Sequence, residues 1–548
     1  MSGGALNSSG ATGSPIAEGD SKTEVKTCNP VLIMTGEKYK EEPDFKSQGL
    51  FGFNLTRTYR SAYTAGKLFG PNWLSSFDFA DLSRTGVIFT PSGKLYSNVF
   101  ITLPNGEKYN YRIEQYDEND GYSASYTVAG ATATGTLYYN RSDGWTLDVD
   151  KKTYSYNELL RLTKIVDKRT GNVLDFQQVS PTVTKITNVA GKSIQFIKGT
   201  NNRVTQVIDP AGNTWSYAYN SAGMLTHVTS PGPTPDIREY HYEDGTSPTR
   251  LTGISINSAR YSRYMYYSDG KVRQSALEGG AEVDNFIYES GKTIVTDAKG
   301  QVSTYKYETI LGEKKLTAVE RGSTSTCAAA AAYTYYDANG YVDYTLDWNG
   351  NKTDYTYDAS GKLELVVSAA GTSAAAGTRY TWNGDDIVQI EYLNAQNNAY
   401  RRVNYLYEIS PLEATRLASE TWTDLTTGVQ RGTTYTYVTN PNGTLVSQSV
   451  NRQIVGGVAT TTQSYDAAGN LFSQGNALGH NEFWSEYNGL GQPGRYIDIN
   501  GVATTFEYHP KGLLKSFTHL LPSGNRTTNL TYNNDRTLTD IVFPDGSA

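Results

Sequence analysis

The sequence predicts an all-β protein: a long antiparallel sheet of hairpins coiled into a hollow, barrel-like shell. Three observations carry that expectation: a composition of strand and turn formers, a turn-bearing repeat, and alternation of aromatic with polar residues between the turns. The 548 residues include 43 tyrosines and 53 glycines but only 4 methionines and 5 histidines. That balance favours aromatic strands and tight turns over helices. The length exceeds what one compact core usually holds, which leaves several domains or one long repetitive architecture.

The repeat is explicit. "YAYNSAGML" from Tyr217, "YYDANGYV" from Tyr335, "YTYDASGKL" from Tyr355, "SYDAAGNL" from Ser464, "EYNGLGQP" from Glu486, "EYHPKGLL" from Glu507 and "TYNNDRTL" from Thr531 share an aromatic, Asp or Asn, two free positions, usually Gly, then a strand. The anchors are Tyr217, Tyr336, Tyr357, Tyr465, Tyr487, Tyr508 and Tyr532, and the well-formed stretches give a unit of about 21 residues. A second turn of the same chemistry falls between anchors: "DPAGN" from Asp209, "DAKGQ" from Asp297, "DWNGN" from Asp347, "NALGH" from Asn476 and "DINGV" from Asp498. In both kinds of turn the Asx side chain accepts from the backbone ahead, and a glycine takes the positive φ that closes the hairpin. Gly212, Gly300, Gly350, Gly361, Gly469 and Gly501 are the turn glycines expected on this basis.

Each unit is therefore two short strands and two turns. Along "TDYTYD", Thr353, Tyr355 and Tyr357 fall on one face and Asp354, Thr356 and Asp358 on the other. A lone hairpin cannot bury its aromatic face, so successive hairpins must pair edge to edge, and strand twist makes the resulting sheet coil. At one strand per ten or eleven residues the array holds on the order of forty strands, more than an open sheet carries without curling. A propeller is the competing architecture, but its blades repeat every ~40–45 residues.

The start, "MSGGALNSSGATGSPIAEGDSKTEVKT", has neither the basic leader nor the apolar run of a secretory signal, and residues 1–27 read as a flexible polar tail. No segment reaches the eighteen or so apolar residues of a membrane span. If the protein leaves the cell, another route exports it or its natural front end is missing. With 48 basic against 55 acidic residues, net -7, there is no field to draw a nucleic acid, and none is expected as a partner. Cys28 and Cys327 are too few to staple the chain or to form a metal site alone, and their pairing stays open.

The segment from Cys28 to Leu82 resembles the N-terminal plug-like domain of bacterial Rhs and YD-repeat proteins. The matching pieces, in order, are Asn29-Pro30-Val31, Thr35-Gly36-Glu37, Asp44-Phe45, Arg57-Thr58-Tyr59-Arg60-Ser61 and Gly70-Pro71-Asn72-Trp73. With the YD repeats, the resemblance covers nearly everything after residue 27. It implies a plug-like domain over 28–105 and a YD-repeat shell over 106–548, enclosing a C-terminal toxin until delivery. In such proteins a core-end motif containing Asp-Pro-x-Gly closes the shell and an aspartyl-type self-cleavage frees the toxin. Here the chain stops at "DIVFPDGSA", inside another apparent hairpin, and the shell is expected to be incomplete with an unpaired edge. The Asp-Pro-Ala-Gly at Asp209–Gly212 sits mid-array and reads as a turn.

Chemistry is sparse. His480-Asn481-Glu482 has the His-x-Glu spacing of zinc deaminases without their Pro-Cys-x-x-Cys partner. His480, Glu482, Trp484 and Glu486 share a strand face that would suit a sugar or a metal, with a solvated patch and one packed Trp as the plainer reading. Asp385-Asp386 and Glu41-Glu42 are adjacent on strands, point to opposite faces and do not converge on one bond. No catalytic residue, cofactor site or metal site is expected. The leading expectation is a non-catalytic shell segment that encapsulates or presents an effector for interbacterial competition, with the remaining shell and secretion-apparatus components as further partners. The alternative is a surface adhesin binding glycans through exposed Tyr and Trp.

Overall fold

The computed structural model describes residues 25–27, 29–63, 66, 68–78, 82–84, 88–89, 95–102, 108–113, 122–125, 136–140, 144–149, 151–323 and 328–547. Both cysteines, and residues 1–24 of the expected tail, lie outside them. The described chain is all-β, and its one helical element is the 3-10 turn Glu278–Gly280. Among the described residues no helix is long and apolar enough to cross a membrane.

Four strands open the chain: β1 (Val31–Leu32), β2 (Glu37–Lys46), β3 (Asn54–Arg60) and β4 (Trp73–Ser75), paired antiparallel in chain order. A small separate sheet follows over Ser83–Arg84, Ile88–Phe89, Leu95–Thr102 and Lys108–Ile113, so the expected boundary at 105/106 falls between its last two strands. From Tyr122–Ser125 onward the repeat sheet begins, and each strand pairs antiparallel with the next in sequence.

The chain divides into two compact units. The larger holds residues 24–302, 464–475 and 480–548; the smaller holds 303–463 and 476–479 among its described residues. In the larger unit the alternation expected from the sequence is visible as burial. On Thr214–Tyr219, Trp215 and Tyr217 are buried while Thr214 and Ala218 are exposed. One core cluster unites Phe45, Tyr59, Phe69, Trp73 and Phe77 of the opening domain with Phe196, Trp215, Tyr217, Tyr240 and Tyr264 of the repeats. The opening domain is thus a plug seated on the aromatic face of the repeat sheet. In the smaller unit the corresponding face is half covered: Lys352–Tyr357 has no fully buried residue. Its densest packing gathers Ile387, Ile390, Val403 and Tyr405.

The turns have the expected chemistry. At Asp466, Oδ1 accepts from the amides of Ala468 and Asn470 at 2.9 and 2.8 Å, and the Gly469 amide donates to the Asp466 carbonyl at 2.9 Å. Asp209, Asp297, Asp347, Asp358 and Asp498 each receive the same pair of amides. The six named turn glycines all have φ between +73° and +83°.

The anchor aromatics act between hairpins. Close to the turns the register slips by a bulge, as at Tyr219↔Leu225, Tyr357↔Leu363, Tyr407↔Leu417 and Tyr508↔Leu514. A bulge leaves a main-chain group outside the ladder. The next repeat supplies its partner: Tyr242 donates to the Leu225 carbonyl at 2.9 Å, Trp382 Nε1 to Leu363 at 2.7 Å, Tyr437 to Leu417 at 2.9 Å and Tyr532 to Leu514 at 2.8 Å. Tyr336 donates likewise to Leu316, Tyr508 to Pro493 and Tyr487 to Leu471. This explains why an aromatic with a polar tip recurs at one position: its ring spans a hairpin and its tip completes the hairpin before.

Candidate functional site

The best-built polar constellation lies where the plug meets the repeats of the larger unit. Alternation on β2 turns Lys38, Glu42 and Asp44 inward, and on β3 it turns Arg57 and Tyr59 inward, all nearly inaccessible. Arg57 holds Asp44 with both arms, Nε to Oδ2 at 2.8 Å and Nη2 to Oδ1 at 2.7 Å. The repeats add further partners, while Arg57 Nη1 stays buried without a hydrogen-bond partner. Tyr217 donates to Asp44 Oδ2 at 2.8 Å, Arg57 Nη2 reaches the Tyr240 hydroxyl at 3.1 Å, and the guanidinium lies 5.1 Å from the Trp73 ring centre. Arg238 binds Glu42 at 2.5 Å.

Burial disfavours each of these charges, and the partners decide the outcome. For Arg57, burial pulls the pKa down, but Asp44, Tyr240 and Tyr217 together outweigh it, holding the guanidinium charged well above its usual range. For Glu42, burial pushes upward, but Arg238, Lys40 and Arg57 together hold the carboxyl below its usual value. Burial, joined by Asp44, drives the Tyr217 hydroxyl well above its ordinary range, so it remains a donor.

The plug also threads between turns. The amide of Gln48 donates to Leu490 O at 2.7 Å and that of Leu50 to Gly469 O at 2.9 Å. Asn188 Nδ2 reaches Phe51 O at 2.6 Å. A side chain at Gly469 would meet Phe51 at 2.6 Å, and one at Gly491 the Gln48 carbonyl at 2.5 Å. The Tyr-Asp-x-x-Gly and Tyr-Asn-x-x-Gly turns of 465–491 therefore cradle the 47–51 loop. Further along, Arg536 and Lys511 both hold Asp236, at 3.1 and 2.8 Å, and Arg536 reaches the Asp44 carbonyl at 3.4 Å. One plug thus grips repeats on either side of a long intervening stretch of sequence.

The motif pieces singled out in the sequence are the plug's own fastenings. Glu37 binds Arg60 at 2.8 Å, and Asn72, at φ +65°, donates to the carbonyls of Arg60 and Ser61. Trp73 Nε1 donates to Tyr242 at 3.0 Å. Two family models match the same two parts of the chain: a domain of unknown function, DUF6531, over residues 28–96, and the RHS repeat over 200–234.

The chain is similar to Rhs-type YD-repeat proteins.

Its curated relatives include two proteins of Dickeya dadantii (strain 3937). "Probable deoxyribonuclease RhsA" is 24% identical over 290 residues, covering 51% of this chain and 19% of the relative. "Probable deoxyribonuclease RhsB" is 22% identical over 441 residues, covering 72% and 29%. This chain therefore spans less than a third of either. Among solved structures it is similar to the TcdB2-TccC3-TEV crystal structure, at 14% identity over 87% of this chain and 28% of that one, TM-score 0.44. It is also similar to TcdB2-TccC3 at 12% identity, 97% and 30% coverage, TM-score 0.43.

The other residues weighed in the sequence do not assemble into a reaction centre. Glu482 accepts from Tyr496, and Trp484 packs on the Tyr496 ring at 5.3 Å, so that strand face is taken up by its neighbour. Asp385 is exposed and paired with Lys362 at 3.1 Å, while Asp386 is buried. Glu41 is exposed and Glu42 buried, facing opposite ways as their adjacency requires. Among the described residues no three His, Cys, Asp or Glu side chains gather as a metal site. Sequence reasoning passed over Ser255 and His241, which lie 2.7 Å apart with Glu243 at 3.7 Å from the imidazole. Ser255 is only 4% exposed, which denies a substrate the approach a nucleophile needs. In the first repeat the hydroxyl that reaches back is that of Tyr219, to Val204 O at 2.6 Å, whereas Tyr217 serves the plug.

Proposed function

We propose that this chain is a non-catalytic plug and wall, residues 28–105 and 106–548, of a shell that encapsulates or presents a C-terminal effector for delivery in interbacterial competition. The observation that carries the reading is the plug fastened by a buried ionic and aromatic network to one face of a chain-ordered repeat sheet. A sheet so built has an aromatic face that needs a cover, and a second polypeptide segment would cover the half-buried tyrosines of 303–463. The remaining shell and the effector are the partners, with secretion-apparatus components for export. If exported, the chain is secreted or held at the cell surface; before delivery it is cytoplasmic. We place any deoxyribonuclease activity, of the kind the two relatives are named for, outside this chain, which covers only 19% and 29% of them. Limited proteolysis tests the reading: in the full-length gene product the effector should resist a protease that digests the same effector expressed alone, and equal digestion would refute encapsulation.

The glycan-binding adhesin is favoured by one observation, the Tyr335–Tyr344 stack at 4.2 Å with Tyr335 39% exposed, a flat aromatic surface of the kind sugars stack on. A glycan array on the purified chain decides it. Specific binding lost in Tyr335→Ala would support it; a blank array would remove it.

A further inference from the structure

The smaller unit carries exposed apolar turns that neither the plug nor the anchor aromatics account for. The strands Thr415–Asp424, Gln430–Thr439, Leu445–Ile454 and Gly457–Tyr465 run nine or ten residues, against six for Lys352–Tyr357 and Leu363–Ser368. At ~3.3 Å per residue, the extra length carries their far turns roughly 10 Å farther from the anchor turns. The last two of these strands are joined by Val455-Gly456, a turn without an Asx residue, in which Gly456 has φ +85°. Val455 is fully exposed, Ile454, Val458 and Val429 are each more than half exposed, and Leu478 of the Asn476–Gly479 turn is 80% exposed. Arginines stand behind these tips. Arg431 lies opposite Trp422 and Arg452 opposite Thr433, so period two puts Arg431 and Arg452 on one face. Each is two residues, roughly 7 Å of strand, behind an aliphatic tip residue: Arg431 behind Val429 and Arg452 behind Ile454. Both are exposed, and among the described residues neither makes an ion pair, whereas Arg379, Arg402 and Arg416 of the same unit are held by Glu391 or Glu408. Asp424 is the only acid in 424–431 or 452–459, and its Oδ1 is taken up by the amides of Thr426 and Thr427 at 2.9 and 3.1 Å.

We propose that these turns dock the chain on a lipid surface with anionic headgroups, Val429, Ile454, Val455 and Val458 entering the acyl boundary while Arg431 and Arg452 meet the phosphates. The spacing fits. An interfacial element buries its apolar part ~5–10 Å into the boundary of headgroups and acyl chains, and guanidinium groups set back by one such depth lie level with the phosphates. Arginines without a carboxylate partner are matched by an anionic surface. Two features favour lipid over a protein pocket. The tips offer aliphatic side chains alone, without the Trp or Tyr that anchor protein interfaces. A two-residue turn and its flanking residues also present far less than the roughly 800 Å² per partner that a stable protein interface buries, and a fluid surface demands neither that area nor a complementary shape. The contact is an attachment to the surface and not a span.

Flotation of the full chain with lipid vesicles tests this. At ~0.1 M salt the chain should float with vesicles of phosphatidylglycerol and phosphatidylcholine, far less with phosphatidylcholine alone, and ~1 M salt should weaken the binding as the screening length falls from about 10 to about 3 Å. Val455→Asp should lower vesicle affinity at least about tenfold, the loss of one buried aliphatic side chain, and Arg431→Gln and Arg452→Gln about fivefold each. Leu311→Asp alters an exposed leucine beside the Asp337–Gly340 anchor turn and should leave binding unchanged. Val455→Trp places a reporter at the tip, and its emission should shift to the blue on anionic vesicles. All these side chains are on the surface, and equal melting temperatures separate loss of docking from loss of fold. A chain that stays behind when anionic vesicles float overturns the proposal and assigns the tips to a protein partner. So does flotation that survives Val455→Asp, or Val455→Trp emission that ignores lipid. None of these outcomes touches the encapsulation reading, since only the chain and lipid enter the test.

Discussion

Replacing Arg57 by Met should loosen the plug far more than any surface charge change. The substitution keeps most of the side-chain volume but leaves Asp44, 3% exposed, with only the Tyr217 hydroxyl as a side-chain partner. It removes two short charge-assisted bonds to Asp44, a third to Tyr240 and a cation over the Trp73 face. Removing one partner of a buried pair costs about 3–5 kcal/mol, mostly because the remaining charge is stranded. Native-state hydrogen exchange of the plug strands 37–46 and 54–60 reads this directly, since their opening free energy should fall by that amount. At 1.4 kcal/mol per decade, exchange should accelerate by about two to three and a half orders of magnitude. The double variant Arg57→Met/Asp44→Leu strands no charge and should regain at least about 2 kcal/mol of the loss. If the single variant costs less than about 1 kcal/mol, or the double variant costs the sum of its parts, the buried pair is not what holds the plug.

Three further outcomes follow from the geometry. Gly350→Ala adds a side chain where φ is +79° but nothing lies within 4 Å, so it should cost only the ~1–2 kcal/mol of a left-handed residue, whereas Gly469→Ala also drives into Phe51 and should cost clearly more by thermal melting. Tyr437→Phe removes the donor from the Leu417 carbonyl and should cost about 1 kcal/mol, measurable as faster hydrogen exchange in residues 415–424. Because the folded Glu42 carboxyl sits below its unfolded value, its contribution is complete above that unfolded value, about 4.5, and drains away as pH falls through the folded one. Plug exchange should therefore quicken below about pH 4, and Glu42→Gln, less stable at neutral pH, should show a flatter acid limb.

The repeat was legible because it is local. Asp466, Gly469 and Asn470 make their turn within five residues, and period two places Trp215 and Tyr217 on one face without knowledge of anything distant. What covers that face was not legible. Tyr217 meets Asp44 across 173 residues and Arg536 meets the Asp44 carbonyl across 492, and no spacing rule reaches so far. The same distance explains why Tyr217 and Tyr219 could not be told apart as anchors: they share a face and a chemistry, and only the position of the plug gives them different partners. Ser275, too, reads as one more strand serine until the fold brings it to Asn29.

The inter-hairpin bonds described above share one direction, although Tyr267 donates forward to the Phe286 carbonyl. In Tyr242 to Leu225, Trp382 to Leu363, Tyr437 to Leu417 and Tyr532 to Leu514, a later side chain always completes an earlier carbonyl. Synthesis delivers the chain in that same order, N-terminal parts first. On the ribosome such a hairpin would therefore finish its predecessor as it emerges and leave its own carbonyl waiting, which keeps the exposed, aggregation-prone edge of a nascent wall short.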